Sequence, residues 1–126
     1  MQPEIRPSNP HLWARIRKIC DALPNVSDRL SHGEVAWFVS RGKQGRQFAT
    51  TSDHHHDDRN AVVMMAPAGV QQQLVAEQPK LYFRPPYVGA QGWIGMYLDV
   101  GAVDWDLVEM HLDNAHAVAT AKLSRR

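Results

Sequence analysis

Arg41, Lys43 and Arg46 place three cations within six residues, with Gly42 and Gly45 between them. An exposed turn of this kind brings side-chain cations and backbone N–H groups against phosphate oxygens together. Binding of that sort weakens steeply as salt is added, because it is driven by counterion release. Arg84 and Lys122, with Arg125 and Arg126, extend the patch if the fold sets them alongside. The same cations have a plainer use, since charge on a hairpin tip blocks edge-to-edge strand pairing.

A second cluster lies between Leu81 and Asp99, where five aromatics, two prolines and three glycines share nineteen residues. Pro85-Pro86 ends any strand that precedes it, and Gly89 with Gly92 supplies a turn. From Trp93 the residues then alternate. Ile94, Met96 and Leu98 point to one side, Trp93, Gly95 and Tyr97 to the other. The aliphatic side suits a helix-covered core, which leaves an aromatic side with a glycine gap. Trp93 and Tyr97, with Tyr82 and Tyr87, are the candidates for stacking on bases or closing over a small ligand. Packing against the diproline turn, or a dimer surface, uses the same rings.

His54-His-His56 sits among Asp53, Asp57 and Asp58, the donor types that suit zinc or nickel. Neighbouring residues on an extended chain point apart, and a polar loop does not preorganise three imidazoles, so neither metal nor cofactor is expected. His32, in Ser31-His-Gly33, has no nucleophile or orienting carboxylate near it in sequence and reads as a turn residue. Cys20 falls on an apolar stripe and reads as packing. With no nucleophile–base–orienter set and no phosphate loop, an enzyme is the least supported class.

The elements that must position these residues follow from pattern. Ser8 or Asn9 caps a helix opening at Pro10, whose Leu12, Trp13, Ile16, Ile19, Cys20 and Leu23 form one stripe. Pro24 stops it, and 25–33 reads as a connection. Val35–Val39 is a strand, 40–46 a hairpin tip, 47–51 a second strand, 52–60 a polar loop and 61–66 a third strand. A short helix from Pro67 to Pro79 carries Val70 and Leu74. After the aromatic stretch, Asp104 caps a last helix, with Asp106 in its first turn. Its buried seam is Trp105, Val108, Leu112, Ala115 and Ala119. Short links between strands imply antiparallel pairing, and amphipathic helices at both ends must bury their stripes on the sheet. The expected architecture is α+β, a two-layer sandwich with both terminal helices on one face of an antiparallel sheet.

At 126 residues the chain suits one domain, with residues 1–7 and 123–126 expected as loose tails. A formal net charge of +1 does not announce a nucleic-acid binder, so such a role needs its cations gathered on one surface. One cysteine excludes an internal disulfide and fits a reducing cytoplasm. No leader and no apolar run near ~20 residues points to a membrane.

With these elements placed, the chain resembles the MmcQ/YjbR family, small bacterial proteins with a frataxin-like, double-wing arrangement. The resemblance runs from about Leu12 to Lys122. It is carried by Ala22-Leu-Pro24 with Ser31-His-Gly33, by Phe83-Arg-Pro-Pro-Tyr-Val-Gly89 with Gly92-Trp-Ile-Gly95, and by Val103-Asp-Trp105. Relatives usually close the last helix on Pro-Lys, where Ala121-Lys122 keeps only the lysine, and often carry a polar or basic residue where Tyr97 stands. The family's DNA-binding label comes from shape similarity to double-wing domains. The resemblance implies a largely uncharacterised family, and with the basic hairpin tip the leading expectation is a nucleic-acid-binding or regulatory accessory protein, docking DNA without sequence preference as a monomer or weak homodimer. The alternatives are a small-ligand or metal-binding protein that uses the aromatic face or the His54–His56 loop, and a protein-interaction module.

Overall fold

In the computed structural model residues 9–55 and 57–123 are described. The chain runs α1 (Pro10–Asp21), β1 (Val26–Ser31), β2 (Glu34–Arg41), β3 (Gln44–Asp53), β4 (Asn60–Met64), α2 (Val70–Glu77), β5 (Tyr82–Phe83), β6 (Ile94–Tyr97) and α3 (Trp105–Leu123). A 3₁₀ turn, Val88–Gln91, lies between β5 and β6. The strands form one antiparallel sheet ordered β1-β2-β3-β4-β6-β5. This is the expected α+β sandwich, with one strand more than the sequence showed.

The added strand is β1, which corrects the reading of 25–33 as a connection. Val26 and Ser31 are half-buried and the four residues between them are exposed. A strand with no buried face leaves no alternation to read. It forms because β2 offers an edge and because His32 and Gly33 both take positive φ, 54° and 83°, in a two-residue turn. That is the backbone whose twist matches a hairpin.

Both terminal helices lie on one face, and side chains tie them there. Asn9 caps α1 by accepting from the Leu12 N–H at 3.1 Å. The Trp13 indole donates to Asp53 at 3.0 Å, and the Trp37 indole donates to Asp21 at 3.3 Å. On α3, Asp104 accepts from the Leu107 N–H at 3.1 Å. A register shift beside Trp37 leaves Phe48 outside the β2–β3 ladder, and its ring meets His116 of α3 edge-on at 5.5 Å. Ile16, Cys20, Val62, Met64, Ile94, Met96, Leu112 and Ala115 fill the space between the layers. Leu123 is buried as the last residue of α3, one residue beyond the helix end that the sequence suggested. The other tail positions, 1–7 and 124–126, lie outside the described residues.

The aromatic side of β6 differs from expectation in a specific way. No gap is left over Gly95. The Phe83 ring from β5 occupies the place a Cβ would take and stacks on Tyr97 at 4.6 Å. The Arg59 guanidinium covers Tyr97 from 3.4 Å while its Nη2 holds Asp99 at 2.6 Å. The glycine is there to admit a neighbouring ring, which single-strand alternation cannot reveal.

Candidate functional site

Strand register divides the loops between two ends of the sheet. At one end lie the β2–β3 turn, the exit of β4, the segment between β5 and β6, and the C-terminus of α3. Arg41, Lys43, Arg46, Arg84 and Lys122 are all exposed there. Residues 40–47, 64–73, 84–93 and 114–123, which build this end, contain no Asp or Glu. The opposite end collects Glu34, Asp53, Asp57, Asp58, Glu77, Asp99, Asp104 and Asp106, with Arg59 and Lys80 among them. A near-zero net charge conceals this separation.

Helix electrostatics explain part of it. Asp104 and Asp106 sit at the N-terminus of α3 and Lys122 in its last turn, as its dipole favours. Arg41, Lys43, Arg46 and Arg84 lie on no helix, so the dipole does not account for them.

The four candidate stacking residues are not gathered. Tyr82 is buried on the helix side, its hydroxyl 2.7 Å from His111 Nε2. Burial raises the Tyr82 phenol and lowers the His111 imidazole, so both stay neutral near pH 7. Trp93 is 5 % exposed, and its indole N–H is the buried side-chain polar group without a hydrogen-bond partner among the described residues. Tyr97 is held between Phe83 and Arg59. Tyr87 alone of the four presents its ring to solvent, at the basic end.

Sequence reasoning passed over the residue that shapes this end. Gln71, buried on α2, donates to the carbonyls of Gly89 at 2.7 Å and Trp93 at 2.6 Å. It therefore ties down residues 89–93, the part of the loop that follows Tyr87. Gln71, Gln72 and Gln73 are alike in sequence, and only packing distinguishes the first. A cavity of about 400 Å³ lies beside this loop, walled by Met65, Pro67, Gly92, Trp93, Val118 and Lys122.

The histidines serve the acidic end. His54 bonds Asp53 at 2.6 Å, a contact that raises its pKa, and His55 lies 3.3 Å from Glu34. Glu34, also missed in sequence, is nearly buried and accepts from the Thr51 hydroxyl at 2.6 Å and the Asp53 N–H at 3.1 Å. Desolvation nevertheless raises its carboxyl above the ordinary range. His56 lies outside the described residues, and among those described no three His, Cys, Asp or Glu side chains are grouped to hold a metal. Burial drives the Cys20 thiol upward, and Asp21 adds to that, which leaves it a poor nucleophile. Among the described residues nothing pairs with His32 as a base would require.

A family model for YjbR matches residues 21–118. The chain belongs to the YjbR family. The match takes in the basic turn, Gln71, the diproline loop and most of α3, and leaves out most of α1. The crystal structure of Deinococcus radiodurans protein DR2400, which carries the DUF419 domain, is similar in fold. Its TM-score is 0.72 at 18% sequence identity, over 85% of this chain and 77% of that one. No curated protein matches the sequence. No helix among the described residues is long and apolar enough to cross a membrane.

Proposed function

We propose that this YjbR-family protein is a nucleic-acid-binding accessory or regulatory protein that docks phosphates on its basic end. One observation carries the reading. Cations from the β2–β3 hairpin, the β5–β6 segment and α3 lie at the same end of the sheet, in segments free of carboxylates. Side chains from separate elements do not reach the same end through helix propensity or edge protection alone. They form a surface against which a polyanion loses little to repulsion.

The mechanism is electrostatic docking, with Arg41, Lys43 and Arg46 on a two-stranded hairpin tip narrow enough to enter a groove. Phosphate contacts of this kind position the partner and read little sequence. The partner is non-specific DNA or RNA in the cytoplasm, met by a monomer or a weak homodimer. Neither metal nor cofactor enters the scheme.

A fluorescence anisotropy titration at low salt tests it. Affinity should fall linearly on a log–log plot as salt rises, with a slope of about −0.7 to −0.9 per phosphate contacted. Replacing Arg41, Lys43 and Arg46 together with Ala should abolish binding. Absence of binding by the unaltered protein at low ionic strength would end the reading.

A further inference from the structure

Within the basic end the backbone takes positive φ at two non-glycine residues, Asn25 and Tyr87, and the turn at Tyr87 is the one an L-residue resists more. At Tyr87 φ is 67° and ψ is −61°, and the Val88 N–H donates to the Pro86 carbonyl at 2.7 Å. A bond spanning one residue at these angles is the uncommon, strained form of γ-turn. Glycine would adopt it without crowding, yet the position holds a tyrosine that is 87 % exposed. Burial of so exposed a ring offsets little of the strain. Backbone strain kept at a position whose side chain is mostly exposed is the kind of outlier that points to a role in function.

The surroundings do hold it. Pro85 is buried just before the turn, and the Gly92 N–H closes back on the Gly89 carbonyl at 3.0 Å. Gln71 bonds the carbonyls of Gly89 and Trp93 from inside the protein. The Arg84 side chain lies across Gly89, where an added Cβ would come within 2.6 Å of its Cγ. The ring thus stands on a pinned loop across whose Gly89 the Arg84 side chain lies. No acidic residue occurs between 84 and 93.

We infer that Tyr87 is a stacking finger for an unpaired nucleobase, so that the basic end takes single-stranded nucleic acid in preference to duplex. The inference rests on the nucleic-acid reading above. Charge selects the occupant, because a chain of linked phosphates bearing flat rings answers both the cations and the presented arene. Bases within a duplex already stack on one another and offer no face to the ring. Unpaired bases do, and stacking on an aromatic side chain tolerates any sequence.

Anisotropy titrations at one low salt concentration, with a labelled single strand of about twelve nucleotides and a duplex of equal length, test this. The unaltered protein should prefer the single strand, and Tyr87→Phe should behave as it does. Tyr87→Gly should bind the single strand roughly 5- to 100-fold more weakly, the equivalent of one missing base stack, with duplex binding unchanged. Tyr87→Gly should also melt no lower than the unaltered protein, since glycine relieves the turn. Full single-strand affinity in Tyr87→Gly would overturn the inference, as would a lowered melting temperature, which would assign the ring to packing. Duplex binding with no single-strand preference would overturn this inference and leave the basic end standing. No binding of either form would overturn both.

Discussion

Gly95 and Phe83 make one unit from two strands. The Phe83 ring sits where any side chain at 95 would begin, and its stack on Tyr97 continues to Arg59 and Asp99. Gly95→Ala should therefore displace the ring and cost about 1–3 kcal/mol in a urea titration, as overpacking does. An unchanged midpoint would mean the ring swings away freely. The Tyr82–His111 pair gives a second prediction, in pH. Burial holds the folded His111 pKa below the ordinary 6.5. The unfolded chain therefore takes up this proton first as pH falls. The stability this histidine contributes is full above about 6.5 and is lost as pH drops from there toward its lower folded value. His111→Gln keeps an acceptor for Tyr82 and removes the proton site. Its melting temperature should fall less steeply between pH 7 and 5 than that of the unaltered protein, and parallel curves would remove His111 from the account.

Helices and strands differed in how openly the sequence declared them. α1 and α3 carry apolar residues at steps of three and four because each has one buried side, and each opens on a side chain that accepts a backbone N–H. Asp104→Ala should cost about 1 kcal/mol, seen as a melting point lower by a few degrees, while Asp106→Ala should do less because it caps nothing. Strand β1 was hidden because its exposed residues have no core to face. The hairpin tip was legible in Gly42, Lys43 and Gly45, although the turn proper is only Gly42-Lys43 and the strands close up to it. The loop of histidines is likewise shorter than its polar composition suggested. β3 runs on to Asp53, because Asp53 is needed on the helix side for Trp13.

The molecule as a whole is electrically divided along its strands, acidic at the start of α3 and basic at its end. A net charge of +1 is the sum of two opposed ends. Arg41→Glu with Lys43→Glu should weaken nucleic-acid binding more than the matching alanines, and should flatten the salt slope by roughly 0.7–0.9 for each phosphate no longer neutralised. Glu34 and Asp53 lie at the far end of the sheet, so Asp57→Ala and Asp58→Ala on the loop beside them should leave the slope unchanged. A slope that moved with the acidic loop would place the docking surface elsewhere.

The order of helices, the α+β class, the capped ends and the basic turn were all written in local pattern, because burial repeats with the period of the element that produces it. The family resemblance was written there too, in short motifs whose order survives without any knowledge of contacts. The filling of the Gly95 gap, the edge strand, the pinning of the diproline loop by Gln71 and the placing of Arg41, Arg84 and Lys122 at one end of the sheet were not. Each is a relation between segments far apart in the chain. Strand register sets such relations, and no single segment records its own partner.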